Sequence, residues 1–219
     1  MSLEKMDDFF NTRAEIYDSH MLVDLDLNDF YEEIAKYVYC DNKKFKLLDI
    51  GCGTGIELFY IFKKHSNISV TGIDISSEML NKLKEKYQKK EISLICGSYF
   101  DVSFGEDYDI VLSTYSLHHW NEREKFSIYK KIYNSLNDGG IFINGDYTCK
   151  TKEREQFYQS ELIRLQREEN LVDGEFYHYD IPLTAETEMN LLQKAGFTDV
   201  KLVKEWENTS IFVAKKKDK

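Results

Sequence analysis

A single proline, Pro182, stands in the 219 residues, too little for a proline-rich linker or a stiff extended tail. The four cysteines, Cys40, Cys52, Cys96 and Cys149, are scattered with no C-x-x-C pair, which excludes the common zinc-ligand and thioredoxin-type spacings. Reduced, buried thiols are therefore the expectation. No apolar run approaches the roughly 18–20 residues needed to span a bilayer, and the opening MSLEKMDDFF lacks the basic stretch and apolar core of a secretory leader. A cytoplasmic location with no membrane partner follows. Basic charge is also scarce: 29 Lys and Arg face 39 Asp and Glu, a net charge of -10, so phosphate backbones are a poor default partner. The deficit is local, because residues 1–42 carry eleven acids and three bases while the remainder is nearly balanced. A confined groove for a structured RNA thus stays open.

What is present suits one large α/β domain. The 42% hydrophobic and 31% charged fractions are ordinary for a globular chain, and this length favours one core with appendages over two small domains. Apolar Phe30, Tyr31, Ile34 and Val38 recur at helical spacing over 28–38, with Asn28 or Asp29 as the expected N-cap. Short apolar runs at 46–50, 69–74, 92–96, 108–113 and 141–145 alternate with helical stretches at 55–65, 77–89 and 122–136. Such alternation predicts a doubly wound, mostly parallel sheet of Rossmann-like type, and Asn137 to Gly140 read as the turn that ends the third helix. Residues 1–42 form a helical arm, 43–147 the core, and 148–187 a helical insertion over one end of the sheet, with Phe176, Tyr177, His178 and Tyr179 as its aromatic cluster. Residues 188–219 supply the end of a helix stopping at Gly196, then two antiparallel strands at 198–206 and 210–215.

The strongest chemical signal is Leu47-Leu48-Asp49-Ile50-Gly51-Cys52-Gly53-Thr54-Gly55, a strand entering a glycine-rich turn and then a helix. Alternate glycines allow a sharp turn and close backbone approach to a ligand, and the helix N-terminus favours an anionic group there. A dinucleotide fingerprint would need Gly or Ala at the sixth position, where this chain has Ile56. A second strand, Val70-Thr71-Gly72-Ile73-Asp74-Ile75-Ser76, ends in an acid 23 residues beyond Gly51.

These strings, with Cys96-Gly97-Ser98-Tyr99-Phe100-Asp101, Tyr108 to Trp120 and Leu136 to Ile143, resemble in order and spacing the motifs of the class I S-adenosylmethionine-dependent methyltransferases. The resemblance implies that Asp49, Gly51, Cys52, Gly53 and Gly55 belong to the loop wrapping the methionine part of S-adenosylmethionine. It implies that Asp74 binds the ribose hydroxyls, Ile75 lies on the adenine face, and Ser98 or Tyr99 meets the adenine edge. Ser113 and His118 would stand at the end of the fourth strand, beside the transferable methyl. Arg13 and Tyr17 of the arm are candidates for closing over the cofactor, with a surface or packing role equally open.

Methyl transfer needs a base only when the nucleophile must lose a proton, and the candidates are His118, Asp146, Tyr147 and His178. Two adjacent histidines, His118 and His119, make no metal site without further ligands, so no metal is expected. An N-P-P-[YF] string after the fourth strand is absent, as is a Pro-Cys pair, which argues against adenine, glutamine and cytosine C5 methylation. A small-molecule acceptor is favoured, with a tRNA base as the alternative. From other classes, an NAD-binding oxidoreductase and a non-catalytic cofactor-binding protein remain; oligomeric state is left open.

Overall fold

The computed structural model describes residues 3–39, 44–172 and 175–218. Strands β1 (Phe45–Ile50), β2 (Ile68–Asp74), β3 (Ile92–Cys96), β4 (Tyr108–Thr114), β5 (Leu136–Tyr147), β6 (Thr198–Glu205) and β7 (Thr209–Lys215) form one sheet in the order β3-β2-β1-β4-β5-β7-β6. The pairs among β1 to β5 are parallel, and β7 runs antiparallel between β5 and β6. The chain builds outward from β1 to β3 and then returns to lay β4 on the other side of β1. Their carboxyl ends therefore diverge around a crevice, the place where open α/β sheets bind ligands.

Each element follows from its residues. In β1, Phe45, Leu47, Leu48 and Ile50 are all buried, as expected of a strand covered on both faces. Helix α4 (Ile56–Lys64) starts at left-handed Gly55, and α5 (Ser77–Lys86) is capped by Ser76, whose Oγ accepts from Met79 N at 3.1 Å. Helix α6 (Glu122–Ser135) opens with a capping box between Asn121 and Glu124. Helix α7 (Lys152–Glu168) is the charged helix of the insertion, and α8 (Ala185–Ala195) stops at Gly196, at φ 113°.

The N-terminal arm comprises α1 (Met6–Arg13), the short α2 (Tyr17–Ser19), a π-helical turn His20–Asp24 and α3 (Asn28–Tyr37). It is fixed on both sides of the crevice. On one side Asn11 Oδ1 accepts from Ser76 Oγ at 2.7 Å and Asp18 pairs with Lys86. On the other, Met6 N donates to Phe176 O at 2.8 Å and His178 N to Glu4 O at 2.9 Å, while the Phe9 and His178 rings stack at 3.5 Å.

Several expectations are corrected. The cap of α3 is Leu27 without a side-chain bond, because Asn28 is occupied elsewhere: its Oδ1 accepts from Tyr60 Oη at 2.8 Å. The Asn137–Gly140 turn is absorbed into β5, which pairs Leu136 with Tyr108 and then Ile141 with Ile110, the surplus residues bulging where Gly139 takes φ 74°. Helix α5 ends at Lys86 rather than 89. Cys52 and Cys149 are buried, but Cys96 is exposed, since it ends the edge strand β3. Cys40 lies outside the described residues. Among the described residues no helix is long and apolar enough to cross a membrane.

One buried ion pair ties the elements that follow the two crevice loops. Lys125 of α6 and Glu188 of α8 are both essentially inaccessible and bonded to each other, and Tyr129 Oη donates to the same carboxylate. Truncating one partner would leave a buried charge unpaired. Glu188→Ala should therefore lower the unfolding free energy by about 3–5 kcal/mol in urea titrations; a loss below about 1 kcal/mol would mean that Lys125 finds water.

Candidate functional site

The glycine loop and the end of β2 are built as one unit. Gly51 N and Cys52 N donate to Ile73 O at 2.8 and 3.1 Å. Asp74 then accepts from Gly53 N through Oδ2 and from Ser76 N through Oδ1, both at 2.8 Å. Burial pushes the Asp74 carboxyl up to about 6, against the pull of these backbone N–H groups. Two glycines are needed for distinct reasons. A Cβ on Gly51 would fall 1.9 Å from Ser116 Oγ, whereas one on Gly53, at φ 48°, would meet no atom within 4 Å and would project into open space.

That open space is a narrow cavity walled by Gly51, Gly53, Asp74, Ile75, Ser98 and Tyr99 and roofed by Met6, Phe10, Tyr17 and Phe176. Tyr99 is held in its wall by Trp120 Nε1, which donates to Tyr99 Oη at 2.7 Å, while that hydroxyl donates to Ser116 O at 3.1 Å. A second cavity of about 330 Å³ adjoins it, lined among others by Phe9, Arg13, Tyr147, His118, His178 and Asp180. Phe10, Tyr17, Tyr115 and His119 belong to both walls.

The floor of the second cavity holds a cluster of imidazoles and carboxylates. His118 Nδ1 lies 2.6 Å from Asp146 Oδ1, and Asp146 is itself fixed by Leu117 N at 3.0 Å and Tyr147 N at 2.9 Å. Asp180 Oδ1 stands 3.3 Å from His118 Nε2 and 3.2 Å from His119 Nδ1. Burial would lower His118, but the carboxylates of Asp146 and Asp180 outweigh it and hold the imidazole up to about 9. His118 is thus an imidazolium at neutral pH, already protonated where a base should be free. For Asp146 burial acts upward, and the His118 charge prevails and lowers it. His178 is pushed down to about 4 by burial and the neighbouring His119, which leaves it neutral.

Some expected residues stand back from both cavities. Asp49 is fully buried behind the glycine loop beside Glu57 of α4; burial and the Glu57 charge raise its carboxyl well above the usual range. Both Asp49 oxygens lack a hydrogen-bond partner among the described residues. Cys52 packs under the loop against Gly72, Gly55 against Leu58 and Leu83, and Ser113 Oγ donates to Ile50 O at 3.0 Å. Asp146 is buried behind His118. Arg13, by contrast, lines the second cavity and not the first, and it pairs with Glu4 at 3.0 Å. Sequence reasoning missed Glu57, Tyr115 and Asp180. Glu57 was signalled by one acid within the apolar run Ile56 to Phe62, and Asp180 by its H-x-D spacing from His178; Tyr115, at φ 46°, left no local signal.

The site accommodates S-adenosylmethionine by its donor set: a buried carboxylate for two hydroxyls, an open glycine face, and unpartnered carboxylate oxygens behind the loop. Comparison with known proteins agrees. Residues 47–140 match a family described as methyltransferase domain. A carboxy-S-adenosyl-L-methionine synthase of Trichodesmium erythraeum is 30% identical over 197 residues, covering 80% of this chain and 74% of that protein. A malonyl-[acyl-carrier protein] O-methyltransferase of Priestia megaterium is 31% identical over 144 residues, and the aligned part is 61% of this chain but only 48% of that enzyme. The DhpI complex with S-adenosylhomocysteine superposes with a TM-score of 0.70 at 15% identity, covering 97% of this chain and 95% of the other, a likeness of fold. The nicotinamide alternative gives way accordingly: the chain belongs to the class I S-adenosylmethionine-dependent methyltransferases, with S-adenosylmethionine as its cofactor.

Proposed function

We propose that this chain transfers a methyl group from S-adenosylmethionine to a small molecule held under the N-terminal arm. The observation that supports it is the pair of adjoining cavities with four shared wall residues, Phe10, Tyr17, Tyr115 and His119. Donor in one and acceptor in the other would meet across those side chains. The cofactor, when bound, supplies an electrophilic sulfonium methyl, so the protein's task is alignment, which can lower a barrier by roughly 7–11 kcal/mol.

In this reading Asp74 accepts the ribose hydroxyl protons, Ile75 covers the adenine face, and Ser98 with Tyr99 meets its edge. The backbone of Gly51 and Gly53 receives the methionine portion, and Tyr17 closes over it. Asp49 acts with Glu57 from behind the loop through charge, and Cys52, Gly55 and Ser113 shape the loop. Arg13, His118, Tyr147 and His178 face the acceptor, while Asp146 positions His118. The neutral His178 imidazole is better placed to take a proton than His118, whose two nitrogens already face carboxylates.

A small acceptor is favoured over RNA because the second cavity, at about 330 Å³, is roofed by an arm bonded to residues 176 and 178. A structured RNA would have to displace that roof and approach an arm segment rich in acids. We place the activity in the cytoplasm. Release of S-adenosylhomocysteine from protein incubated with fractionated metabolites tests the acceptor class; turnover on undermodified tRNA alone would overturn it.

Binding of S-adenosylhomocysteine checks the cofactor roles. Asp74→Ala should weaken it tenfold or more by calorimetry, about 1.4 kcal/mol. Gly53→Ala introduces no clash, so a modest fall in Tm with a large loss of affinity would report the filled cradle; unchanged affinity would remove the loop assignment. The pH dependence has a definite sign. The carboxylate form accepts the ribose protons, and Asp74 in the free protein takes up a proton near pH 6. Affinity should therefore fall by roughly tenfold from pH 7.5 to pH 5 in the native chain and stay flat in Asp74→Asn.

A further inference from the structure

The imidazole and carboxylate cluster under the arm has more organisation than acceptor packing requires. We propose that His118, His119 and Asp180 bind one divalent first-row transition cation, of the zinc or iron class, at the floor of the acceptor cavity. Adjacent histidines alone carried no such inference, and the fold adds the missing ligand: the loop after Tyr179 brings Asp180, half-exposed, to within hydrogen-bonding distance of both rings.

Three observations support the site. The first is spacing. Asp180 Oδ1 lies 3.3 Å from His118 Nε2 and 3.2 Å from His119 Nδ1, and the three donor atoms fall within 4.8 Å of one another. Ligands around a tetrahedral ion, with bonds of about 2.0–2.1 Å, stand about 3.3–3.4 Å apart. The second is the support behind the ligands. His118 turns Nδ1 to buried Asp146 at 2.6 Å, and Asp146 is immobilised by two backbone N–H groups. That is the carboxylate–histidine arrangement that orients a metal-binding imidazole, and a cation at Nε2 would displace the proton now shared with Asp180 to solvent. The third is the orientation of His119: its buried ring turns Nδ1 to Asp180 Oδ1 and to the Tyr179 carbonyl, each at 3.2 Å, so a cation would take Nδ1 from that carbonyl.

Nitrogen and carboxylate donors suit zinc, iron, cobalt or nickel better than magnesium or calcium, which take oxygen. With three protein ligands a tetrahedral ion keeps one position for a further ligand, and His178 Nε2 lies 3.9 Å from Asp180 Oδ1. A cation there would act as a Lewis acid, binding an acceptor oxygen or nitrogen and lowering its pKa so that its proton passes to water before methyl transfer. This role rests on the methyl-transfer reading, whereas the binding itself does not.

The test uses the full chain without an affinity tag, stripped by chelator and dialysed. Cobalt(II) is titrated by visible absorption and zinc(II) by calorimetry, with S-adenosylhomocysteine binding measured on every sample. The expected result is one cobalt per chain with ligand-field bands of a low-coordinate nitrogen and oxygen site. Asp180→Asn should weaken binding at least tenfold, and Asp146→Asn roughly tenfold to a hundredfold through the supporting bond, while both variants still bind S-adenosylhomocysteine. Absence of bands and heat in a native chain that binds S-adenosylhomocysteine overturns the metal site and leaves the cofactor reading standing. Cobalt affinity equal in the native chain and Asp180→Asn overturns it too, because the ion would then lie elsewhere. Failure of the native chain to bind S-adenosylhomocysteine would instead strike the methyl-transfer reading.

Discussion

The contact on which the site depends is the hydrogen bond from Gly53 N to the Asp74 carboxylate. It joins the turn after β1 to the end of β2, two strands already in register from Phe45 with Ile68 to Ile50 with Ile73. An acid at that point is costly to bury, and its carboxyl accordingly rises to about 6. The cost is offset by two backbone N–H groups that would otherwise have no acceptor. The turn thus keeps its left-handed glycines because the acid holds them, and the acid stays available because the turn supplies donors. Either half without the other leaves buried polar groups unmatched.

The arm extends this logic to the crevice rim. Asn11 accepts from Ser76, the residue that caps α5 and donates to Asp74, so the arm is anchored on the same short segment that carries Asp74. Its opposite edge is bonded to residues 176 and 178 through backbone groups, with Lys5 paired to Glu175 and the Phe9 ring stacked on His178. Phe10 and Tyr17 enter both cavities from its inner face. An appendage that reads in sequence as acidic and weakly amphipathic becomes a wall shared by the two cavities.

The parts legible in sequence are those set by neighbours along the chain. Strand and helix alternation gave the five parallel strands to within a few residues, since buried β1 and β4 are mostly apolar short runs and α5, α6 and α8 carry their caps locally. The family resemblance named Gly51, Gly53, Asp74, Ile75, Ser98 and Tyr99, and all six wall one cavity. What stayed hidden was decided by distant residues. Asn28 left its capping position for Tyr60, Asn137 to Gly140 joined β5 because Tyr108 and Ile110 offered partners, and Asp180 met His118 only through a loop 60 residues on. No local pattern contains those pairings.

Two acidic pairs in this molecule are neutralised by different means. Behind the glycine loop, Asp49 and Glu57 face each other, and burial drives both carboxyls upward against the more distant pull of Lys86 on Glu57, so that pair is relieved by holding a proton. Under the arm, Asp146 and Asp180 meet imidazoles and are both driven downward, so they remain ionised. The first arrangement places residual negative charge on the donor side, where a sulfonium and an ammonium would be received. The second leaves carboxylates whose charge is balanced only while His118 carries a proton or its nitrogens meet another cation. An acceptor arriving beside them meets a fixed set of charges in a low-dielectric cavity, where a change of one charge has far more effect than it would in water. Whatever balances Asp146 and Asp180 thereby sets the net charge of the second cavity's floor.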